Sequence, residues 1–488
     1  MSHIFRCVDF YSRRGSLTAK EIESCIANPK SFLEKFGYAP LFTNRIKSVF
    51  HHAVSYISGL LTLPRGSNMS KIAENIPESG TCRDLSHFIS SSPWSSEDVM
   101  KLTRTNVIHH LGPNGAVIFD ETGQQKYGPD SVGTSHQYLG TLGHTCTAQV
   151  GVFASYCVDN VSTLIDYRLF LPDSWVQNHQ KSLKVEIPLD RIEHKTKPEL
   201  ALEMLDSFIS EEIPFFYVQA DGLYGNDSKF ISGLYQRKVS FICDIPSDTL
   251  VYITEPVLII PERQGNRGRF PSKPKVLNTF LVQVRWLAEI QQYWDSVPIR
   301  FTDRGIKTVY CAVITVWRRQ DGLPYDIPVK LVMIRDPEEN MVRFAFTNML
   351  NAVTSDLAKC QANRYWIERN FEDAKGLCDL DSFRGRSWIA WHHHIVLSAI
   401  SLFMLLKIQH DFLKKSIFLS LNQVVAIIRH KNPLRKLSDQ ELADSINYVN
   451  DIRAKMWVGN LKRFMKQIFH NSVEWVQKLI DTRSNLII

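Results

Sequence analysis

Two strongly apolar segments that each end in an aspartate constrain the fold of this chain most. Residues 116–120 read AVIFD and residues 215–221 read FFYVQAD, and each segment has a glycine within three residues of its end. Such runs are typical of buried strands that end in a turn. An isolated aspartate in this place often does no more than cap the turn or the next helix. The pair indicates a site at the strand ends, and the capping explanation stays open.

The order of the predicted elements favours an α/β fold. The elements are strands at 116–120, 149–157 and 163–171, a helix at about 198–210, and strands at 215–220 and 240–245. Three strands, a helix and further strands form the order of an RNase H-like core, in which the first and fourth strands are neighbours. We therefore expect Asp120 and Asp221 to lie side by side.

Changes in composition divide the chain into five predicted regions. They are a helical N-terminal DNA-binding region (1–108), the first part of the core (109–260), a β-rich insertion (261–350), the second part of the core (351–408) and a helical C-terminal region (409–488). The strands predicted for the insertion lie at 278–286, 306–317, 328–334 and 341–347. The core would thus be interrupted by the insertion, with Asp120 and Asp221 before it.

Positive charge is concentrated at the C-terminal end. From Lys407 onward the chain has 14 Lys and Arg against 7 Asp and Glu, which equals the formal net charge of +7 of the whole chain. A basic region favours a polyanionic partner, although a solvated helical surface explains the charge equally well. Residues 261–275 form a loop rich in proline, glycine and basic residues that could also touch phosphate.

The bulk composition is ordinary for a soluble globular protein. Hydrophobic residues make up 44% of the chain and charged residues 22%. The longest apolar stretch, residues 395–406, is too short to span a bilayer and predicts a buried helix. The nine cysteines contain no Cys-x-x-Cys pair, and the first residues lack the apolar core of a secretory signal. We expect a protein of a reducing cytoplasm without a membrane partner.

A predicted helix around residues 364–375 places three charged side chains on one narrow stripe. At 100° per residue, Arg364, Glu368 and Lys375 fall at about 0°, 40° and 20°. Ile367 and Phe371 flank the stripe, which indicates that it lies close to the core. A glutamate there could bind metal while the arginine and lysine contact a phosphodiester. An i,i+4 Arg–Glu pair on the surface is the alternative.

Asp120, Asp221 and Glu368 together have the chemistry of a two-metal phosphoryl-transfer site. Their hard oxygen ligands suit a pair of Mg²⁺ ions about 4 Å apart, one activating the attacking oxygen and the other stabilising the leaving oxygen. Two neighbouring carboxylates compete for these roles. Glu121 should face away from Asp120 because side chains alternate along a strand. Glu372, at about 80° on the helix, stays the alternative to Glu368.

The same helix resembles the signature helix of bacterial insertion-sequence DDE transposases. The pattern Arg364-x₃-Glu368-x₆-Lys375, with Ile367 just before the glutamate, is similar to the cut-and-paste group whose signature is Tyr-x₂-Arg-x₃-Glu-x₆-Lys. One position departs from the signature, because Gln361 stands where the family has tyrosine. In the family that tyrosine assists DNA contact, so the departure concerns phosphate positioning and not the acidic residues.

The resemblance extends over most of the chain. Asp120-Glu-Thr-Gly with Lys126 is similar to the block around the family's first aspartate. Residues 220–225 (ADGLYG) are similar to the second block, and residues 384–388 (RGRSW) resemble the stretch after the glutamate helix. The blocks stand in the family's order.

The resemblance implies a transposase that excises an insertion sequence and joins it to new DNA. Asp120, Asp221 and Glu368 would be the catalytic residues and the ligands of two Mg²⁺ ions, which Mn²⁺ could replace, and Arg364 and Lys375 would contact DNA. The enzyme would act as an endonuclease at the terminal inverted repeats, after which the freed 3′-OH attacks target DNA. The family also implies a homodimer in a synaptic complex, in the bacterial cytoplasm and associated with the nucleoid.

Two other functions fit the same residues. An RNase H-like nuclease would cut DNA with this triad and would not join strands. A domesticated, transposase-derived DNA-binding protein would keep the fold without catalysis. The presence of all three acidic residues makes catalysis the simpler expectation.

Overall fold

A mixed sheet that contains strand β1 (Ala116–Gln125) between two neighbouring strands organises the computed structural model. Residues 116–119 are all buried, as their apolar character predicts for an inner strand that is covered on both faces. The structure describes residues 17–43, 48–140, 142–261, 272–302, 305–320, 322–339 and 341–434.

The strands of the described residues fall into two sheets. In chain order they are β1 (Ala116–Gln125), β2 (Ser135–Leu139), β3 (His144–Val158), β4 (Val161–Leu169), β5 (Tyr217–Ala220), β6 (Phe241–Ile245), β7 (Leu250–Tyr252), β8 (Leu258–Ile259), β9 (Lys275–Val276), β10 (Leu281–Gln283), β11 (Asp295–Thr302), β12 (Gly305–Gln320), β13 (Leu323–Asp336) and β14 (Met341–Thr347). Strands β8 and β9 pair with each other, and the remaining strands share the large sheet.

Helices precede the sheet, cover it and follow it. In chain order they are α1 (Ala19–Ser24), α2 (Pro29–Lys35), α3 (Phe50–Thr62), α4 (Met69–Asn75), α5 (Cys82–Ser90), α6 (Ser96–Leu111), α7 (Asp173–Val176), α8 (His179–Lys184), α9 (Lys197–Ser210), α10 (Gly222–Gly225), α11 (Ser228–Gln236), α12 (Val284–Ile290), α13 (Thr354–Ala362), α14 (Tyr365–Leu377), α15 (Trp388–Lys414) and α16 (Leu421–Lys431). Short 3₁₀ turns lie at Ala39–Phe42 and Leu189–Arg191. The mixed α/β fold predicted from the sequence is confirmed.

The strands around β1 have the neighbour relation predicted for the core. Strand β1 pairs antiparallel with β3, which in turn pairs with β4. On its other side β1 pairs in parallel with β5, and β5 pairs in parallel with β6. The first and fourth predicted strands are therefore neighbours. Strand β2, which pairs with β3, has no counterpart among the predicted strands.

The β-rich region continues this sheet. Strand β14 pairs antiparallel with β6, β13 pairs with β14, and β12 pairs with β13. The described residues up to Pro433 belong to one compact unit that contains these strands. The finer division into five regions stays a prediction. Most of the basic loop 261–275 and residues 435–488, which contain most of the predicted C-terminal region, lie outside the described residues.

The strand predicted at 278–286 is wrong in part. Within this range only β10 (Leu281–Gln283) is a strand, and the helix α12 begins at Val284. Val284, Leu287 and Ala288 are buried, which is the i, i+3, i+4 spacing of an amphipathic helix. An apolar run this short does not distinguish a strand from a helix by periodicity alone.

The longest helix, α15, joins the N-terminal helices to the sheet. It contacts α3, α6 and β4, and residues 395–406 are buried as the sequence predicts. Its length and composition would suffice to cross a membrane, but 89% of its most apolar window is buried inside the protein. This is the environment of a core helix.

His394 in α15 links three parts of the fold. The ring Nδ1 lies 2.9 Å from the hydroxyl of Tyr56 in α3, and Nε2 lies 3.0 Å from the carbonyl oxygen of Asp379. A neutral imidazole satisfies both partners, since Nε2–H donates to the carbonyl and Nδ1 accepts from the hydroxyl. Burial lowers the pKa of His394 to about 4, so the ring stays neutral at physiological pH.

We expect acid to destabilise the protein through His394. The ordinary pKa of 6.5 applies in the unfolded chain, so the unfolded chain takes up a proton before the folded one as the pH falls. This destabilising effect of His394 is absent above about pH 6.5. It lowers the free energy of unfolding by roughly 3 kcal/mol near pH 4. Urea titrations at about pH 7 and pH 5 should show that the free energy of unfolding decreases less between these pH values for His394→Gln than for the wild type. Equal decreases would contradict this role.

Candidate functional site

Three aspartates lie in one row across the parallel strands. The last residue pairs that join β1 to β5 and β5 to β6 stand in line, and the next residues are Asp120, Asp221 and Asp244. Aligned residues on neighbouring parallel strands point to the same face of a sheet. The sequence predicts the first two as neighbours, and the structure brings them together. It also adds Asp244, which was not predicted as a site residue because it stands inside the apolar run FICDI rather than at its end.

Asp120 is a buried carboxylate beside other negative charges. Its side chain is 13% exposed, and Oδ1 accepts a hydrogen bond from the backbone N–H of Glu121 at 2.7 Å. Burial and the charges of Asp221 and Glu121 raise the pKa of Asp120 well above its usual range, and Arg364 partly offsets this. A negative charge at this position is therefore unfavourable without a cation.

Asp221 caps the short helix α10. Its Oδ1 accepts a hydrogen bond from the backbone N–H of Leu223 at 2.9 Å, so the capping role that the sequence left open is present. Burial and the charge of Glu121 raise the pKa of Asp221. The cap fixes the carboxylate at the strand end next to Asp120, so capping and a role in the site are compatible.

Glu121 lies on the opposite face of β1, as the alternation of the strand predicts. Its carboxylate pairs with Lys197 Nζ of α9 at 2.8 Å and accepts a hydrogen bond from the hydroxyl of Tyr224 at 3.0 Å. Asp120, in contrast, lies near Arg364, at the start of α14. Glu121 therefore has partners of its own on the far side of the sheet.

Arg364 joins the aspartate row to the helix α14. Its Nε lies 2.9 Å from Asp244 Oδ2, its Nη2 lies 2.7 Å from Glu368 Oε1, and its Nη1 lies 4.0 Å from Asp120 Oδ2. Burial opposes the charge of Arg364, but Asp244, Glu368 and Asp120 raise its pKa above the ordinary value. One guanidinium thus balances three carboxylates.

Helix α14 is held on the sheet by its apolar face. Ile367, Asn370, Phe371 and Ala374 are buried, as the sequence predicts for Ile367 and Phe371. The ring of Phe371 packs edge-on against Phe153 of β3, with 5.4 Å between the ring centroids. This contact holds the adjacent charged stripe of the helix next to the aspartate row.

Glu368 lies at the rim of the site. Its side chain is 49% exposed and forms the i,i+4 pair with Arg364, which the sequence left open as a surface pair. The arginine, however, is only 20% exposed and also binds Asp244, so the pair belongs to the site. Glu372 is 68% exposed and pairs with Arg369 instead. The geometry favours Glu368 over Glu372.

Lys375 lies on the same side of α14. Burial lowers the pKa of Lys375, and the negative charges of Asp381 and Asp120 partly offset this. The structure therefore places Lys375 where its charge acts on Asp120, as expected of the stripe predicted from helical spacing.

A divalent cation fits the donor chemistry of these residues. Asp120 and Asp221 present oxygen ligands from adjacent strands. Burial and neighbouring carboxylates raise the pKa of both residues, and a bound cation would offset this effect. Among the described residues, no three acidic, histidine or cysteine side chains are close enough to hold an ion. In this structure the carboxylate of Glu368 pairs with Arg364 and does not form a cluster with Asp120 and Asp221.

The fold and the site define a class of protein. A mixed α/β sheet with acidic residues side by side on adjacent strands is consistent with the DDE nuclease fold. The family model described as "DDE superfamily endonuclease" matches residues 38–298, more than half of the chain. The chain therefore belongs to this family. The matched residues include Asp120 and Asp221 and end before α14.

One relative agrees with this family. "Probable transposase for insertion sequence element IS701" of Microchaete diplosiphon is 30% identical over 171 residues. The match covers 35% of this chain and 42% of the length of that relative. Together with the family match, it confirms the resemblance to insertion-sequence DDE transposases.

We expect Asp120→Asn to stabilise the protein when metal is chelated. The substitution removes a buried charge that Asp221 repels, so the free energy of unfolding near neutral pH should rise. Asp206→Asn is the matched control, because it breaks an ion pair with Arg237 away from the site and should lower stability by no more than about 1 kcal/mol. Urea unfolding with EDTA measures both. A decrease for Asp120→Asn would show that its charge is well compensated without a cation.

Proposed function

We propose that this protein is a DDE transposase that cuts DNA at the terminal inverted repeats of an insertion sequence and joins the freed end to target DNA. The observation that carries this proposal is the pair of partly buried carboxylates of Asp120 and Asp221, which lie side by side where the parallel pairing of β1 and β5 stops. Arg364, Glu368 and Lys375 of the helix α14 region face this pair. The family match supports an enzyme that acts on DNA.

The acidic residues would act as metal ligands. Asp120 and Asp221 would hold Mg²⁺ from the sheet and Glu368 would complete the set from α14, with Mn²⁺ as a substitute. Bound ions of this kind activate a nucleophilic oxygen and stabilise the charge on the leaving oxygen. The chain's own contribution is to fix the carboxylates through the strand β1, the cap of α10 and the packed helix α14.

The basic residues would hold the phosphodiester. Arg364 has a planar guanidinium that can donate two hydrogen bonds to phosphate oxygens, and Lys375 adds a second positive charge on the same stripe. Arg364 Nη1 lies only 4.0 Å from Asp120 Oδ2, so a phosphodiester bound by this arginine would lie next to the acidic residues. Arg364 would thus exchange part of its carboxylate contacts for phosphate contacts when DNA binds.

Two displacements would follow at one site. In the first, a water oxygen bonds to phosphorus, the bond to the 3′-oxygen breaks, and the departing oxygen takes a proton. In the second, the resulting 3′-OH loses its proton and bonds to a phosphorus of the target strand, whose own 3′-oxygen leaves. Both are in-line substitutions for which positioning and charge stabilisation suffice.

The remaining regions would bind DNA and assemble the complex. The helical N-terminal region would recognise the inverted repeats, and the basic C-terminal region and the loop 261–275 would contact the backbone. A homodimer would hold both ends of the element together. The site of action would be the bacterial cytoplasm, at the nucleoid.

Substitution of the acidic residues should abolish cleavage. Asp120→Asn, Asp221→Asn and Glu368→Gln should each lower the single-turnover cleavage rate of end DNA by roughly 100-fold or more, because each removes a ligand charge. Glu372→Gln is the matched control on the same helix, since Glu372 pairs with Arg369. Its cleavage rate should stay within about threefold of the wild-type rate. If Glu372→Gln is the more damaging of the two glutamate changes, the assignment of Glu368 is wrong.

Joined products should distinguish the proposal from its alternatives. Labelled end DNA incubated with Mg²⁺ and supercoiled target plasmid should give both cut ends and covalently joined molecules. Cut ends without joined molecules would instead indicate a nuclease. Binding without cutting, in the presence of Mg²⁺ or Mn²⁺, would indicate a DNA-binding protein.

A further inference from the structure

Asp244 is a buried carboxylate whose two oxygens have different partners. Its side chain is 14% exposed, Oδ2 lies 2.9 Å from Arg364 Nε, and Oδ1 accepts a hydrogen bond from Gln361 Nε2 at 3.1 Å. The residue stands in the aspartate row but contacts the arginine rather than the neighbouring aspartates. Asp244 is thus a candidate for a role in shaping the site.

Gln361 is itself fixed by the core. It is buried, and its backbone carbonyl accepts a hydrogen bond from the side chain of Gln219 in β5 at 2.7 Å. This glutamine stands at the position where the family signature has tyrosine, and here its side-chain amide donates to Asp244. The departure from the signature therefore has a structural counterpart.

The backbone of Asp244 is also held from the other side. Gly225, at the end of α10, approaches so closely that a Cβ there would stand 1.9 Å from the carbonyl oxygen of Asp244. The helix that Asp221 caps is therefore packed directly on the strand that carries Asp244. The backbone of neither segment can shift without the other element moving.

We propose that Asp244 is a positioning residue that holds the guanidinium of Arg364 towards Asp120, and that Gln361 sets the orientation of Asp244. With Asp244 on Nε and Glu368 on Nη2, the plane of the guanidinium is fixed and Nη1 points to the row. Without Asp244, the arginine would retain Glu368, a half-exposed partner on its own helix, and would gain freedom to turn away. This inference rests on the proposed function, in which Arg364 contacts phosphate.

The substitution Asp244→Asn tests this arrangement because both partners of Asp244 are donors. An asparagine has no charge for Arg364 and only one acceptor oxygen, so Gln361 must turn its amide round to keep a hydrogen bond to it. In the double variant Asp244→Asn with Gln361→Glu, the amide NH₂ can donate to the new carboxylate while the amide oxygen accepts from Arg364. The pair of changes also keeps the net charge.

The experiment measures binding of end DNA in EDTA and single-turnover cleavage in Mg²⁺. Asp244→Asn should weaken binding and slow cleavage, each by roughly 10- to 100-fold. In an Arg364→Ala background the same change should cost no more than about twofold, because the arginine through which it acts is gone. The double variant with Gln361→Glu should recover to within about threefold of the wild type.

Matched controls separate positioning from folding. Asp206→Asn breaks another Asp–Arg pair, with Arg237, and should leave both measurements unchanged. If Asp244→Asn does not fold, Gln361→Ala removes one partner of the carboxylate and should give a weaker loss in the same direction, again absent in the Arg364→Ala background. Equal losses with and without Arg364, or no loss in either variant, would overturn the inference. A wild type that binds but never cuts would instead contradict the proposed function, while the binding comparison still tests Asp244.

Discussion

The parallel pairing of β1, β5 and β6 is the constraint on which the site depends. The parallel pairs stop at Phe119, Ala220 and Cys243, and the next residue of each strand or strand end is an aspartate. Strand β1 itself continues to Gln125, paired with β3 alone. Such closely spaced, buried carboxylates repel one another, so this part of the fold is stable only with positive charge nearby. In the described structure that charge is the guanidinium of Arg364.

The rest of the fold brings Arg364 to the row and holds it there. The buried face of α14 packs on the sheet through Phe371, which holds the adjacent charged stripe next to the aspartate row. The N-terminal helices contribute indirectly, since α15 connects them to the sheet. A site that is electrostatically strained without its ligand is common in enzymes, because the groups are arranged for charge that arrives with substrate and cofactor.

Local sequence pattern predicted the part of the site that depends on single elements. The apolar strands gave Asp120 and Asp221, strand order gave their adjacency, and helical spacing gave the stripe of Arg364, Glu368 and Lys375. Local pattern could not identify Asp244 as a site residue, because its partner Gln361 is 117 residues away in the chain. The helix α12 was missed for a related reason, since tertiary burial decides the conformation of a short apolar run. The assignment of catalytic roles remains a proposal.

Iron-promoted cleavage of the protein backbone tests the central claim most directly. With Fe²⁺ in place of Mg²⁺ and ascorbate present, radicals form at the bound ion and cut the chain near its ligands. The account predicts fragments that end near residues 120, 221 and 368, which disappear together in the Asp120→Asn variant. Cleavage at other segments, or the same fragments from Asp120→Asn, would show that these three residues do not share a metal site.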